Sequence, residues 1–269
     1  MIDIKPFLRW AGGKFKLTDS LIKFIPVEYN HYWEPFLGAG SLFFKLKPNR
    51  ATLSDLNESL IECYKQIKEN PKEVSTILDR ILKKHSESNF YLIRDQFNKS
   101  KTFDSTKAAM FIYINKTCFN GIYRVNQNNE FNVPYGKILI PATPSVEELL
   151  RISERLNNIE LYSYSYENIL EKVSERDFIY LDPPYPPLSE TAKFAEYTKE
   201  KFTINDQQAV ALFAKRLADR GCFVMISNAN TPFIQSLYNE WNINKTSVRR
   251  TISCKKEKYN VEELIITNY

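Results

Sequence analysis

The chain has 269 residues, with 37 Lys and Arg against 32 Asp and Glu, for a formal charge of +5. That length holds one α/β domain with an insertion, or two modest domains, and excludes a second full-size catalytic domain; the mild basic excess suits a polyanionic partner without requiring one. Cys63, Cys118, Cys222 and Cys254 are scattered, with no Cys-x-x-Cys spacing and only His31 and His85 beside them, so they read as core thiols and neither metal site nor disulfide frame is expected.

The segment from Met1 to Trp10 carries Asp3, Lys5 and Arg9 where a signal peptide needs an apolar core, and no later apolar run reaches membrane-span length. A cytoplasmic chain with no membrane partner is the expectation. His31 to Phe36 reads as a short strand, followed by the turn Leu37-Gly38-Ala39-Gly40-Ser41 and an apolar helical stretch from Leu42 to Leu46. Strand, glycine turn and helix together form the first unit of a nucleotide-binding fold. Ala51 to Asp55 supplies the next strand, ending in an acid about fifteen to twenty residues after the glycines, where such folds bind a ribose hydroxyl. Asp55 is the candidate, although Phe36-x-Gly38-x-Gly40 also suits a turn with no ligand.

From Glu58 to Cys118 the apolar spacing is helical, through Leu78, Ile81 and Leu82, then Tyr91, Ile93 and Phe97, then Ala109, Phe111, Ile112 and Ile114. Gly121 to Pro134 shows two short β-like runs around an Asn-rich turn, a hairpin signature. After Ser145 helical and strand patterns alternate, with strands near Glu160 to Ser163, Asp177 to Leu181, Cys222 to Ser227, Asn244 to Ile252 and Val261 to Thr267. The fold class is therefore α/β, a Rossmann-like sheet formed by residues 1–56 and 144–269 and split by a helical and β-hairpin lobe at 57–143, with the hairpin about 121–135.

Phe178 to Tyr185 is the most informative stretch. An apolar run reads as a buried parallel strand, and the two prolines of Asp182-Pro183-Pro184-Tyr185 stop it rigidly. In an open α/β sheet ligands bind at that end, so a carboxylate, carbonyls without competing N–H groups and a flat ring face a pocket. A strand closed by a proline turn with a surface acid is the plainer alternative.

Five segments, in order, carry a resemblance: Pro6-Phe7-Leu8-Arg9-Trp10-Ala11-Gly12-Gly13-Lys14, Glu34 to Ser41, Ser54-Asp55-Leu56-Asn57, Asn115 to Asn126 and Asp182-Pro183-Pro184-Tyr185. Over nearly the whole chain they resemble the Dam-type DNA adenine-N6 methyltransferases, including the methylases of DpnII-type restriction systems. The Trp-Ala-Gly-Gly-Lys and Asn-Lys-Thr-Cys-Phe-Asn-Gly runs are specific to that group. The likeness implies methyl transfer from S-adenosylmethionine to adenine N6 in double-stranded DNA, most readily within GATC, by a nucleoid-associated enzyme with no obligate protein partner. A cognate restriction enzyme encoded alongside is the possible companion.

Adenine N6 is a poor nucleophile and the sulfonium methyl is already activated, so the chemistry asks for acceptors that bind the two N6 hydrogens and aim the nitrogen. Asp182 offers one acceptor, the Pro183 carbonyl the other, and Tyr185 a stacking surface for a base flipped out of the duplex, with Pro184 stiffening the turn. The resemblance places Trp10, Lys14, Phe36, Gly38, Gly40 and Asp55, together with Asp182, around the cofactor, and Ser165 and Tyr166 toward its adenine. It places Arg9 and Arg124 on guanines, with Ile122, Asn126 and Pro134 beside them, Phe119 as an aromatic wedge and Asn120 at the backbone or orphaned base. Arg249-Arg250 and Lys255 to Lys258 suit phosphates or a solvated loop equally. Phe194 to Tyr197, Phe202-Thr203, Asp206 to Gln208 and Ser227-Asn228 follow the family only loosely. Rival readings are N4-cytosine transfer on the same scaffold, where Ser more often leads the tetrapeptide, a catalytically silent DNA-binding protein, and methylation of RNA or protein glutamine.

Overall fold

The structure is a computed structural model that describes residues 4–185, 202–251 and 258–269. Phe194 to Tyr197, Cys254 and Lys255 to Glu257 lie outside them, as do the side chains of Arg249, Arg250 and Lys258.

Among the described residues seven strands form one sheet: β1 (Tyr32–Glu34), β2 (Ala51–Ser54), β3 (Ile159–Tyr162), β4 (Phe178–Leu181), β5 (Phe223–Ala229), β6 (Asn242–Thr251) and β7 (Lys258–Thr267). Their spatial order is β3-β2-β1-β4-β5-β7-β6, parallel throughout except for β7, which runs antiparallel to both β5 and β6. The chain moves outward from β1 in one direction and from β4 in the other, so the topological switch lies between these two strands, where open α/β sheets bind ligands. This is the expected α/β class, with strand ends displaced by one to three residues. β5 runs past Ser227 because β7 pairs with it as far as Ala229 opposite Glu263.

Period-two alternation divides the core between the two faces of the sheet. Phe178 and Tyr180 join Tyr32, Ala51 and Leu53 against α2 (Ser41–Leu46), α3 (Glu58–Glu69), α4 (Pro71–Leu82), α5 (Glu87–Lys99), α6 (Ser105–Thr117) and α7 (Val146–Leu156), with the short α1 (Thr18–Leu21) at the edge. Ile179 and Leu181 join Val224 and Ile226 against α8 (Ile204–Asp219) and α9 (Pro232–Leu237). Ile179 alone, fully buried, contributes about 2–3 kcal/mol of apolar transfer. Helix starts follow local chemistry: Asn57, Ser86 and Asp104 cap α3, α5 and α6, while Ser145 with Glu148 and Thr203 with Asp206 form capping boxes on α7 and α8. Cys63, Cys118 and Cys222 are buried thiols, as their scatter implied.

The segment from Gly121 to Pro134 turns back on itself in antiparallel pairing: Val125 bridges Phe131, Asn126 N–H donates to the Glu130 carbonyl and Asn132 N–H to the Arg124 carbonyl, and Cys118 bridges Tyr135 at the base. Side chains take the backbone groups that this pairing leaves over. Asn126 Oδ1 accepts from the Asn128 and Glu130 N–H groups, Asn98 holds both backbone groups of Phe131, and Arg94 donates to the Val133 carbonyl.

Candidate active site

Four buried residues of β4 carry the chain to Asp182 at the carboxyl edge of the sheet. The register that pairs Leu181 with Ile226 sets Asp182 beside Ser227 on β5, and Ser227 Oγ donates to Asp182 Oδ1 at 2.6 Å. Lys14 Nζ reaches the same oxygen at 2.8 Å, with the lysine side chain 6% exposed and the aspartate 16%. Among the described residues Oδ2 and the Pro183 carbonyl accept no hydrogen bond. Lys14 also donates to the Gly12 carbonyl at 2.7 Å and lies 4.4 Å from the centre of the Tyr185 ring. Gly12, at φ +76°, takes the left-handed position of the turn closed by Gly13 N–H on Trp10 O, and that turn folds Lys14 back over the tetrapeptide.

The rest of the tetrapeptide is held as firmly. Gln207 Nε2 of α8 donates to the Pro184 carbonyl at 2.7 Å, and Tyr185 OH donates to Glu263 Oε2 on β7 at 2.7 Å. Burial pushes the Asp182 carboxyl above its ordinary range, a shift opposed by the Lys14 ammonium and the Ser227 hydroxyl and reinforced by the Glu263 charge. Glu34, at the end of β1, is pushed up to about 8 by burial; the hydrogen bond from Tyr32 opposes that shift and the Asp182 charge adds to it. Burial first, then the Asp182 and Glu263 charges, raise the Tyr185 phenol well above its usual value.

Across the switch point, Asp55 Oδ2 accepts from Gly38 N–H at 3.0 Å and Oδ1 from Asn57 N–H at 2.9 Å, so the acid ties the glycine turn to the end of β2. Gly38 sits at φ +49°, and a Cβ there would lie 2.9 Å from Trp10 Cδ1, so only glycine allows this approach. Trp10 stacks on Tyr123 at 5.4 Å, which brings the amino-terminal turn against the Asn-rich segment. Phe36 stacks on Tyr166 at 5.2 Å, uniting two of the sequence-selected residues, while Ser165 caps its own short turn and Gly40 begins α2. The lining suits an adenosyl group: a half-buried carboxylate with lone pairs left after two N–H bonds, a side-chain-free turn, and exposed Leu56 beside Asp55.

The residues selected for DNA gather at one end. Asn115, fully buried in α6, accepts from the Arg9 N–H and donates to the Arg9 carbonyl, both at 2.8 Å. The Arg9 side chain then runs over Gly121, where a Cβ would collide with its Cδ. Phe119 is 52% exposed and its N–H donates to the Pro134 carbonyl, with Asn120 beside it at φ +56° and Ile122 half-buried. Arg124 is exposed and donates through Nε to Asn132 Oδ1, which leaves its amino groups without partners among the described residues. Asn126 is different, since its amide is occupied in building the turn: its Nδ2 donates to Glu130 Oε2.

A sequence profile of the D12 class N6 adenine-specific DNA methyltransferases matches residues 10–252, from Trp10 through every site element except Arg9 and Glu263. The chain belongs to that family. It is 39% identical to the type II methyltransferase M1.LlaDCHI of Lactococcus lactis subsp. cremoris, over all of this chain and 96% of that protein. It is 39% identical to the type II methyltransferase M.MjaIII of Methanocaldococcus jannaschii over the full length of both, and 34% identical to the DNA adenine methylase of Escherichia coli over 93% of this chain and 89% of that one. The enzyme is thus an adenine-specific DNA methyltransferase, and the N4-cytosine, RNA and protein readings lose their footing. Membership implies a DNA substrate and a methyl donor.

Several residues that shape this methyltransferase's site were not selected from the sequence. Tyr180 reads as one more apolar strand residue, Glu263 lies in an outer strand far along the chain, and Ser227-Asn228 matched the family too loosely to be weighted. A polar pair at the end of a buried strand was the available signal for the last two. Asn115 was visible only as part of a motif, with no hint that its side chain clamps the Arg9 backbone.

Proposed function

We propose that this methyltransferase moves a methyl group from S-adenosylmethionine to N6 of an adenine turned out of duplex DNA, within GATC. The observation that carries the reading is Asp182, whose Oδ1 is bound from beneath by Ser227 and Lys14 while Oδ2 and the neighbouring Pro183 carbonyl have no partner among the described residues. Two acceptors on a rigid turn match the two hydrogens of an exocyclic amine. S-adenosylmethionine, when bound, supplies a methyl group activated on a sulfonium. Asp55, Gly38, Phe36 and Tyr166 are the residues to hold its nucleoside part, and the Asp182 and Glu263 carboxylates suit its cationic centre.

Asp182 works as an ionised acceptor, so the Lys14 and Ser227 contacts, which oppose the upward push of burial on its carboxyl, are part of the chemistry. Asp182 and the Pro183 carbonyl draw density onto nitrogen and point its lone pair away from themselves, and Oδ2 is placed to receive the proton that nitrogen sheds. Tyr185, fixed by Glu263, supplies a flat face for the base. On the DNA side, the Arg124 fork suits guanine O6 and N7, and exposed Phe119 suits the gap left by the extruded base. The word GATC rests on the resemblance to Dam-type enzymes, and a companion restriction enzyme on the type II names of the relatives.

Modified-base sequencing of genomic DNA from a methylation-deficient host expressing the chain tests this reading. N6-methyladenine at GATC is the expected result; modification at another word overturns the site assignment, and methylcytosine overturns the chemistry.

A further inference from the structure

Ser227 and Asn228 are consecutive on β5, so their side chains leave on opposite faces of the sheet, and each reaches one end of the tetrapeptide. Ser227 is fully buried and gives its single proton to Asp182 Oδ1 at 2.6 Å, the length of a charge-assisted bond. Its oxygen then accepts from Tyr180 OH at 2.8 Å, so the buried phenol is the donor in that pair. On the other face, Asn228 Oδ1 accepts from the Ala229 N–H, and Nδ2 donates to Gln207 Oε1 at 2.9 Å; Gln207 Nε2 in turn holds the Pro184 carbonyl. Both chains are fully satisfied and all four side chains are almost wholly buried, a costly way to fill a core unless orientation is the return.

We propose that Ser227, backed by Tyr180, is a positioning residue that fixes the Asp182 carboxylate with Oδ1 inward and Oδ2 toward the target amine, while Asn228 and Gln207 fix the far end of the turn. The inference rests on Asp182 being the acceptor for adenine N6. A carboxylate torsion is broad and two-fold, so an unbraced Asp182 samples orientations that aim neither oxygen at the base. Lys14 does not substitute, since its ammonium acts on the same Oδ1 as a point charge, whereas the Ser227 hydroxyl donates along one direction fixed by β5. The other titratable groups facing Asp182 are Tyr180 on its own strand, Tyr185 beyond it, Glu34 on β1 and Glu263 on β7.

The test is steady-state methylation of genomic DNA from a methylation-deficient host, with labelled S-adenosylmethionine, across a pH series. Ser227→Ala is expected to lower kcat about 10- to 100-fold while KM for DNA and for donor stays within about twofold. Losing the hydroxyl that stabilises the carboxylate also moves the acid limb of kcat to higher pH, and Ser227→Thr restores most of the rate. Tyr180→Phe acts in the same direction by about 3- to 10-fold, and decides the matter if Ser227→Ala does not fold. If both variants keep kcat within about twofold and leave the acid limb in place while Asp182→Ala is inactive, the positioning role is overturned and the acceptor role stands. A rate loss with an unmoved acid limb and no rescue by Thr also overturns it, as packing alone. Near-normal turnover in Asp182→Ala instead overturns the acceptor reading.

Discussion

Replacing Lys14 with Met keeps the side chain's length and removes its charge from a site where the lysine is 6% exposed and its partner Asp182 16%. At 2.8 Å two unit charges attract by about 6 kcal/mol for an effective dielectric of 20. Desolvation offsets much of that in the intact pair, but the variant leaves a buried carboxylate without its cation, and breaking such pairs costs about 3–5 kcal/mol. Urea unfolding of Lys14→Met at pH 7.5 should therefore show a loss of about 3–5 kcal/mol, little altered by raising the salt, because a buried pair is weakly screened. Adding Asp182→Asn should recover much of the loss, with a coupling energy of at least about 2 kcal/mol in the double-mutant cycle. Loss of the ammonium, the largest influence holding the Asp182 carboxyl down, moves the acid limb of any residual activity to higher pH. Additive effects of about 0.5 kcal/mol or less, of the size seen for exposed pairs, would refute the idea that Lys14 is the buried counter-charge of Asp182.

The remaining predictions concern Glu34, Gly38 and Arg124. Glu34 has a folded-state pKa raised from 4.5 to about 8, so the folded chain keeps a proton that the unfolded chain loses, and stability falls as pH rises from about 4.5 to 8, by up to about 5 kcal/mol. Urea midpoints across that window should drop in the wild type and stay nearly level in Glu34→Gln; parallel curves would contradict the assignment. Gly38→Ala adds the cost of a left-handed alanine, about 1–2 kcal/mol, to a clash with Trp10, and should lower Tm and weaken donor binding by calorimetry. Unchanged donor affinity would separate the turn from the cofactor. Arg124→Ala should relax discrimination at one base pair by about 1–3 kcal/mol, read by competition among duplexes, whereas a uniform loss on every duplex would make Arg124 a phosphate contact.

Much of this was legible in the chain because local chemistry and global fold agree. Phe178 to Leu181 is apolar on both faces and ends in two prolines, so its place as a buried central strand with a rigid exit follows from residue types alone. Helical apolar spacing marked the stretch from Glu58 to Cys118 just as plainly. In the Asn-rich segment pattern reading found the two runs that meet across the turn, but not the Asn98 and Arg94 side chains of α5 that hold its remaining backbone groups. Long-range polar contacts were beyond it for another reason. Nothing within the sequence windows around Ser227, Gln207 or Glu263 records that the sheet will bring them to Asp182-Pro183-Pro184-Tyr185 from three separate elements. Lys14 shows the same limit, since its motif marked it as a cofactor contact and only the folded turn reveals it on the Asp182 carboxylate.

The central claim, that Asp182 presents an acceptor to adenine N6, is tested most directly by nucleoside mass spectrometry of duplex DNA incubated with S-adenosylmethionine and either the wild-type chain or Asp182→Ala. N6-methyladenine from the wild type and none from the variant, with donor binding by the variant still measurable, is the predicted result. Methylcytosine from the wild type, or near-equal N6-methyladenine from the two proteins, would contradict it.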